Sequence, residues 1–161
     1  MLLIQKRCAA RAHYDAELAL PFELRTRSRL RTALASGEEV GLFLERGAAL
    51  RDGDFLEADN GCIVRVRAAP EPLMQIASPD PLLLTRAAYH LGNRHVAVEI
   101  GAGYLRFGAD AVLGRMVEGL GFDVTELTAP FEPEPGAYGG GHHHHADEPH
   151  RHGVIHHYPR T

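Results

Sequence analysis

The chain has 161 residues, a formal net charge of −4 with histidine counted as neutral, and a hydrophobic fraction of 45%, which is typical of globular proteins. A chain of this length forms one ordinary domain or two small ones. The negative charge argues against a nucleic-acid partner, because nucleic-acid binders need a basic face. No run of residues is apolar enough to span a membrane, and the N-terminus lacks the residue order of a secretory signal. We therefore expect a cytoplasmic protein with no membrane partner.

Residues 1–70 have the pattern of a small all-β domain. Polar and apolar residues alternate through 28–34, and an apolar run follows at 40–44, so both segments are predicted strands. Further strands are predicted around Phe55-Leu56 and through 62–67. Turns are predicted at three dipeptides, of which the last two are strong hairpin signals: Ser36-Gly37, Asp52-Gly53 and Asn60-Gly61.

Residues 71–135 have the pattern of a ferredoxin-like domain, which follows a short linker at Pro70-Glu71-Pro72. Asp80 predicts the N-cap of one helix, which Gly92-Asn93 ends because both residues tolerate a left-handed conformation, and Asp110 predicts the N-cap of a second helix. Strands are predicted at 73–77, 96–100, 104–107 and 124–127. The order βαββαβ is the split βαβ arrangement, so the predicted fold class is α+β.

Residues 136–161 have no apolar period and predict a disordered, histidine-rich tail. The sequence has eleven histidines, and eight of them lie in this tail. They are His142, His143, His144, His145, His150, His152, His156 and His157. Neutral imidazole is a ligand for Ni²⁺, Zn²⁺ and Cu²⁺, so the tail is expected to bind such ions, although the number of imidazoles does not select among them. The alternatives are an expression tag, which is usually an uninterrupted run, and a solvated tail without function.

The remaining histidines are isolated in the sequence. His13 and His90 favour a surface or structural role. His95 follows a Gly-Asn-Arg triplet between a predicted helix and a predicted strand, and by itself it is not a metal site, because a transition metal needs about four ligands. It becomes one only if a second copy meets it across a two-fold axis, or if tail histidines join it. Neither Cys8 nor Cys62 lies in a C-x-x-C pair, so a thiolate site is not expected.

Four stretches of the sequence together resemble the UreE family of urease accessory proteins. They are Gly92-Asn93-Arg94-His95, the segment PFEPEPGAY at 130–138, the histidine-rich tail, and the β-domain residues 46–54 with 64–71. Their order and spacing cover nearly the whole chain, which makes the resemblance more specific than any one stretch.

The resemblance implies a nickel metallochaperone that delivers Ni²⁺ for assembly of the urease active site. It implies a homodimer formed through the ferredoxin-like domains, in which His95 of each chain binds Ni²⁺ at the two-fold axis and tail histidines complete or feed the site. The implied partners are the urease GTPase accessory protein and the urease maturation complex, with the β-domain as a protein-contact module. Some relatives carry a histidine pair where this sequence has Gly108-Ala109-Asp110-Ala111, so a second, peripheral site is not expected.

Two other classes of function compete with this one. An enzyme is disfavoured, because the sequence has no H-E-x-x-H, no G-x-S-x-G and no phosphate-binding G-x-x-x-x-G-K-[ST] motif. A histidine-rich metal buffer or storage protein would use the same tail without needing a defined interfacial site or a delivery partner. Stoichiometry and partner binding separate the buffer from the chaperone.

Overall fold

The computed structural model describes residues 1–136. In this part of the chain ten strands form two β-sheets, and there are three helices. Residues 2–68 supply the strands of the first sheet, and residues 71–129 supply those of the second. The α+β class predicted from the sequence is therefore confirmed for this part of the chain. None of its helices is long and apolar enough to cross a membrane.

The first sheet has six strands in the order β2-β6-β5-β1-β4-β3. Its elements are β1 (Leu2–Cys8), β2 (Ala16–Leu20), helix α1 (Phe22–Arg25), β3 (Arg29–Ala33), β4 (Glu39–Phe43), β5 (Phe55–Ala58) and β6 (Ile63–Ala68). Strand β1 is parallel to β4, β2 is parallel to β6, and the other neighbours are antiparallel. Alternate residues are buried, such as Leu18 and Leu20 on β2 and Val64 and Val66 on β6, because successive side chains point to opposite sides of a strand.

Two of the three predicted turns connect paired strands, and the third does not. Gly37 and Gly61 have φ values of +87° and +84° in the β3–β4 and β5–β6 hairpins, which confirms these turns. The prediction of a hairpin at Asp52-Gly53 was wrong, because β1 lies between β4 and β5 in the sheet. The dipeptide instead forms a local turn, in which the Asp54 N–H donates to the Arg51 carbonyl at 3.1 Å. Turn chemistry predicts the bend but not which strands it joins.

The second sheet has four antiparallel strands in the order β10-β7-β9-β8. Its elements are β7 (Glu71–Ala77), α2 (Pro81–Gly92), β8 (Val98–Gly101), β9 (Tyr104–Gly108), α3 (Ala111–Glu118) and β10 (Thr125–Ala129). The element order is the βαββαβ order expected from the sequence. Both predicted N-caps are present, since Asp80 accepts from the Leu82 N–H at 2.9 Å and Asp110 accepts from the Val112 N–H at 2.7 Å.

The segment Pro70-Glu71-Pro72 is not the linker that the sequence predicted. Strand β7 begins at Glu71 and includes Pro72, which pairs with Thr128 of β10. Proline is tolerated there because it stands at the beginning of the strand, where one fewer backbone donor is needed. The passage from the first sheet to the second therefore contains almost no free chain.

The core of the second sheet lies between its strands and its two longer helices. Ala87 and Leu91 of α2 and Val117 of α3 are fully buried with Ile76 and Phe107 of the sheet. These helix positions belong to the apolar faces expected from the i, i+3, i+4, i+7 spacing. Packing of Leu91 fixes the C-terminal end of α2, and the turn that carries His95 begins there.

Candidate metal centre

His95 is an exposed residue at the turn between α2 and β8. Its φ is +56°, and no other non-glycine residue within 1–136 has a positive φ. The left-handed conformation costs an L-residue about 1–2 kcal/mol, so its presence points to a local constraint. The expected left-handed cap at Gly92-Asn93 is wrong in detail, because Asn93 has φ −64° and the reversal is made at His95.

Backbone hydrogen bonds fix this turn. The N–H groups of Arg94 and Val96 both donate to the carbonyl of buried Leu91, at 3.0 and 3.3 Å, and the His95 N–H donates to Gly92 at 2.9 Å. The histidine is therefore presented to solvent from a backbone tied to the core of the second sheet. A ligand held on such a turn loses less conformational entropy on binding than one on a free chain.

His95 is not accompanied by other ligands within residues 1–136. That part of the chain contains no group of three or more His, Cys, Asp or Glu side chains placed to hold a metal ion. His90 is half-buried, and its ring lies edge-on to that of Tyr89 with the ring centroids 5.4 Å apart. His13 is exposed in the segment between β1 and β2. A complete coordination sphere at His95 therefore requires ligands from a second copy or from residues after Gly136.

The two cysteines do not supply those ligands. Cys8 and Cys62 are free and half-buried in the first sheet or next to it. Burial, followed by the negative charges of Asp15 and Glu38, raises the pKa of the Cys62 thiol. A raised pKa disfavours the thiolate, which is the form that binds metals.

The segment after β10 passes beside β8 and heads toward the His95 turn. The Glu134 N–H donates to the Val98 carbonyl at 2.8 Å, and the Glu132 N–H donates to Glu99 Oε2 at 2.8 Å. Increasing residue number along this segment corresponds to decreasing residue number along β8, so the two run antiparallel. At Glu134 the chain is bonded to Val98, three residues from His95 in the sequence.

The predicted tail ligands lie outside the described residues. They are His142, His143, His144, His145, His150, His152, His156 and His157. His142 is six residues beyond Gly136, and six residues span at most about 20 Å when fully extended. Covalent geometry therefore allows tail imidazoles to reach the neighbourhood of His95.

A buried arginine, which the sequence-based reasoning did not single out, holds this exit segment. Arg25 is 1% exposed and is the sole buried charged residue among residues 1–136. Its guanidinium donates to the carbonyls of Leu20 at 3.2 Å and Leu50 at 2.9 Å, and also to the Phe131 carbonyl and the Glu132 carboxylate. No sequence signal marks Arg25, because burial of a charge depends on partners that are distant in the chain.

An exposed apolar stripe lies on α2, the helix that leads into the His95 turn. Leu82 and Tyr89 are each 68% exposed, and they are seven residues apart, so they share one face of the helix. Arg86 lies between them on the same exposed face. Large apolar side chains on one exposed helix face mark a candidate interaction surface.

Two family models match the chain. The one described as the N-terminal domain of the UreE urease accessory protein matches residues 4–69, and the one described as its C-terminal domain matches residues 71–158. The chain belongs to the UreE family of urease accessory proteins. The resemblance drawn from the sequence is thereby confirmed.

Individual relatives agree with this assignment over most of their lengths. The urease accessory protein UreE of Ectopseudomonas mendocina is 58% identical over 151 residues, which cover 92% of this chain and 91% of that protein. The Azotobacter vinelandii protein of the same name is 58% identical over 143 residues, covering 88% and 86%. The protein from Pseudomonas fluorescens strain SBW25 is 56% identical over 151 residues, covering 92% and 91%.

Membership defines the general role of the chain. The family consists of accessory proteins of urease and not of enzymes, so this chain acts in urease maturation and is not itself a catalyst.

Proposed function

We propose that this protein is a nickel metallochaperone, which binds Ni²⁺ at His95 and tail histidines and delivers it for assembly of the urease active site. The observation that carries the proposal is the exposed His95 on a left-handed turn tied to the core, with the exit segment running toward it. Imidazole suits Ni²⁺, and also Zn²⁺ and Cu²⁺, so these ions would compete in vitro. Nickel here is cargo and must be released, so an incomplete and exposed site suits the task better than a closed structural one.

The proposed binding unit is a homodimer. One His95 per chain provides too few ligands, whereas a two-fold axis passing close to this turn brings two His95 residues together. The exposed stripe of Leu82 and Tyr89 on α2 supports such an interface, because it lies on the helix that leads into the turn. Isologous pairing of this face would bury apolar surface and form the site at the same time.

The proposed partners are the urease GTPase accessory protein and the urease maturation complex, in the cytoplasm. The sequence has no phosphate-binding loop of its own, so directed transfer of nickel needs a partner that hydrolyses nucleotide. The first sheet carries no proposed metal ligand, and we assign residues 1–70 a role in protein contacts. Partner binding also distinguishes this proposal from the alternative of a metal buffer or storage protein.

Nickel titration calorimetry on three chains tests the proposal: the full-length protein, His95→Ala, and a chain ending at Gly141. We expect the shortened chain to lose capacity but keep about one ion per dimer, as expected for a site between two copies. The His95→Ala chain should lose that first, tightest ion while retaining tail capacity. Equal first-ion affinity in His95→Ala and the full-length protein would overturn the assignment of His95.

A transfer experiment tests delivery separately from binding. Nickel-loaded protein is mixed with the purified urease GTPase accessory protein and nucleotide, and transfer is followed by the nickel content of each partner. The proposal expects transfer that requires nucleotide. Nickel that stays on this chain, or leaves it at the same rate without the partner, would favour a buffer.

A further inference from the structure

Charged groups from both sheets meet at the exit segment, 131–134. On one side Arg25 binds the Glu132 carboxylate and the Phe131 carbonyl. On the same side Arg51 Nη1 donates to the Pro133 carbonyl at 2.6 Å, and the Asp52 N–H donates to Glu132 Oε1 at 3.3 Å. Arg25 is the last residue of helix α1, and Arg51 and Asp52 lie in the loop between β4 and β5 of the first sheet.

The other side of the same segment is bound to the second sheet. The Glu132 N–H donates to Glu99, which also accepts from Arg106 Nη1 at 3.1 Å, and Arg106 Nε donates to Gln75 at 2.8 Å. The Glu99 side chain is 13% exposed. A continuous polar network therefore runs from Arg25 through Glu132 to strands β8, β9 and β7.

We propose that Arg25 and Glu132 are positioning residues: they fix where the histidine-rich residues leave the fold, and so raise the local concentration of tail imidazoles at His95. This inference rests on the proposed function, and it adds two residues that do not themselves touch nickel. The pair acts through the segment that it anchors, which leads directly into the tail.

The strand order explains why an anchor is needed. Strand β10 ends at Ala129 on one edge of the second sheet, and β8, which leads from His95, forms the other edge. Three strand spacings separate these edges, or roughly 14 Å. Without the anchor, the last residue held by the fold before His142 would be Ala129 and not Glu134.

Tether length gives the expected size of the effect. Release of the segment lengthens the interval between the last residue held by the fold and His142 from 8 to 13 residues. Effective concentration falls roughly as the −3/2 power of tether length, which gives about a twofold loss. The greater distance between the origin of the tether and His95 adds to this loss. Tail-assisted binding is therefore expected to weaken by about two- to tenfold.

The segment is built to hold one conformation once it is anchored. Phe131 and Pro133 are buried, and the Phe131 ring packs edge-on against Phe22 with centroids 5.6 Å apart. Pro133 and Pro135 fix their own φ angles and hold the residues before them extended. The anchor therefore sets both the position and the direction of the chain at Gly136.

Amide hydrogen exchange tests the anchoring without metal. In Glu132→Gln, which keeps the shape and removes the charge, the Glu134 amide that bonds Val98 should exchange at least about tenfold faster. Glu132→Ala should increase the rate further. The matched control is Glu134→Gln, because Glu134 is exposed and its side chain makes no hydrogen bond to the described residues; it should leave the exchange rates of neighbouring amides unchanged. An unchanged Glu134 amide in both Glu132 variants would overturn the proposal.

Nickel affinity, measured by equilibrium dialysis in two chain lengths, tests the consequence. Glu132→Gln should weaken nickel binding about two- to tenfold in the full chain and have no effect in a chain ending at Gly136, while Glu134→Gln changes neither. A loss of equal size in both lengths, or no loss in either, would overturn the positioning role, because the pair would then not act through the tail. If the wild-type protein binds no nickel, the proposed function fails with it, and the exchange rates alone decide whether the pair anchors the segment.

Discussion

His95 and Arg25 differ in exposure and in how far their polar groups are satisfied. His95 is exposed, has a strained backbone and has no neighbouring ligands among residues 1–136, whereas Arg25 is buried and each of its three guanidinium nitrogens has an acceptor. Under the proposed function, unused coordination capacity lies where nickel must bind and leave again. Complete satisfaction of polar groups lies where a segment must stay in place.

The largest expected effect is the loss of stability when the buried residue, Arg25, is replaced. Arg25→Met should lower the free energy of unfolding by about 3–5 kcal/mol, because it leaves the Leu50 and Phe131 carbonyls without their donor and removes one of the donors to the Glu132 carboxylate. The control is Arg27→Met, since Arg27 forms an exposed i,i+4 pair with Glu23 that is worth about 0.3–0.5 kcal/mol. Urea denaturation measures both. Similar losses in the two variants would show that burial of Arg25 contributes little.

The next effect concerns the exposed apolar stripe of Leu82 and Tyr89 on α2. Leu82→Glu should weaken dimerisation at least about thirtyfold, because it places a charge where two copies of α2 are proposed to meet. Phe43→Glu is the control, since Phe43 is 50% exposed on β4 of the first sheet. Sedimentation equilibrium measures the dissociation constant. Dimerisation that is unaffected by Leu82→Glu but weakened by Phe43→Glu would move the interface to the first sheet.

A smaller effect is expected when His95, the proposed nickel ligand, is replaced. His95→Ala should weaken binding of the first nickel ion about tenfold or more while leaving the midpoint of unfolding nearly unchanged, because an exposed side chain contributes little to stability. His13→Ala is the matched control, as His13 is also exposed and lies at the first sheet. Dialysis at limiting nickel compares the two. Equal weakening by both substitutions would remove the distinction between these histidines.

The smallest effect separates backbone strain from ligand chemistry. His95→Gly should be more stable than His95→Ala by about 1 kcal/mol, because glycine adopts a φ of +56° without the steric cost that a Cβ brings. Both variants should bind the first nickel ion equally weakly. Equal stability of the two variants would show that the turn relaxes when histidine is removed, and that the conformation is not imposed by the fold.

The sequence predicts most of the second sheet because its signals are local. Helix N-caps at Asp80 and Asp110 and the apolar faces that follow them depend on residues only a few positions apart, and both are present in the structure. The strand order of the first sheet depends on pairings such as Leu2 with Val40, which no local pattern specifies. The hairpin expected at Asp52-Gly53 failed for this reason.

The candidate site also combines features that the local sequence indicates with features that it does not. His95 could be proposed as a ligand from the sequence, because the motif that contains it resembles one in the UreE family. Its left-handed backbone could not be predicted, because that conformation is expected at Gly92 or Asn93. The proposed role of Glu132 depends on its contact with Arg25, which is 107 residues away in the sequence. A contact over that distance leaves no periodic or compositional trace in a single sequence.

The most direct test of the central claim is the location of the first nickel ion. Paramagnetic Ni²⁺ is added to the isotopically labelled full-length protein at one ion per dimer, and amide resonances are followed by NMR. We predict that the resonances of residues 92–98 broaden or shift first, with those of Glu132 and Glu134 next to them, and that His95→Ala abolishes this. Broadening that begins around His13 or His90, or that leaves residues 92–98 unchanged at this loading, would contradict the account.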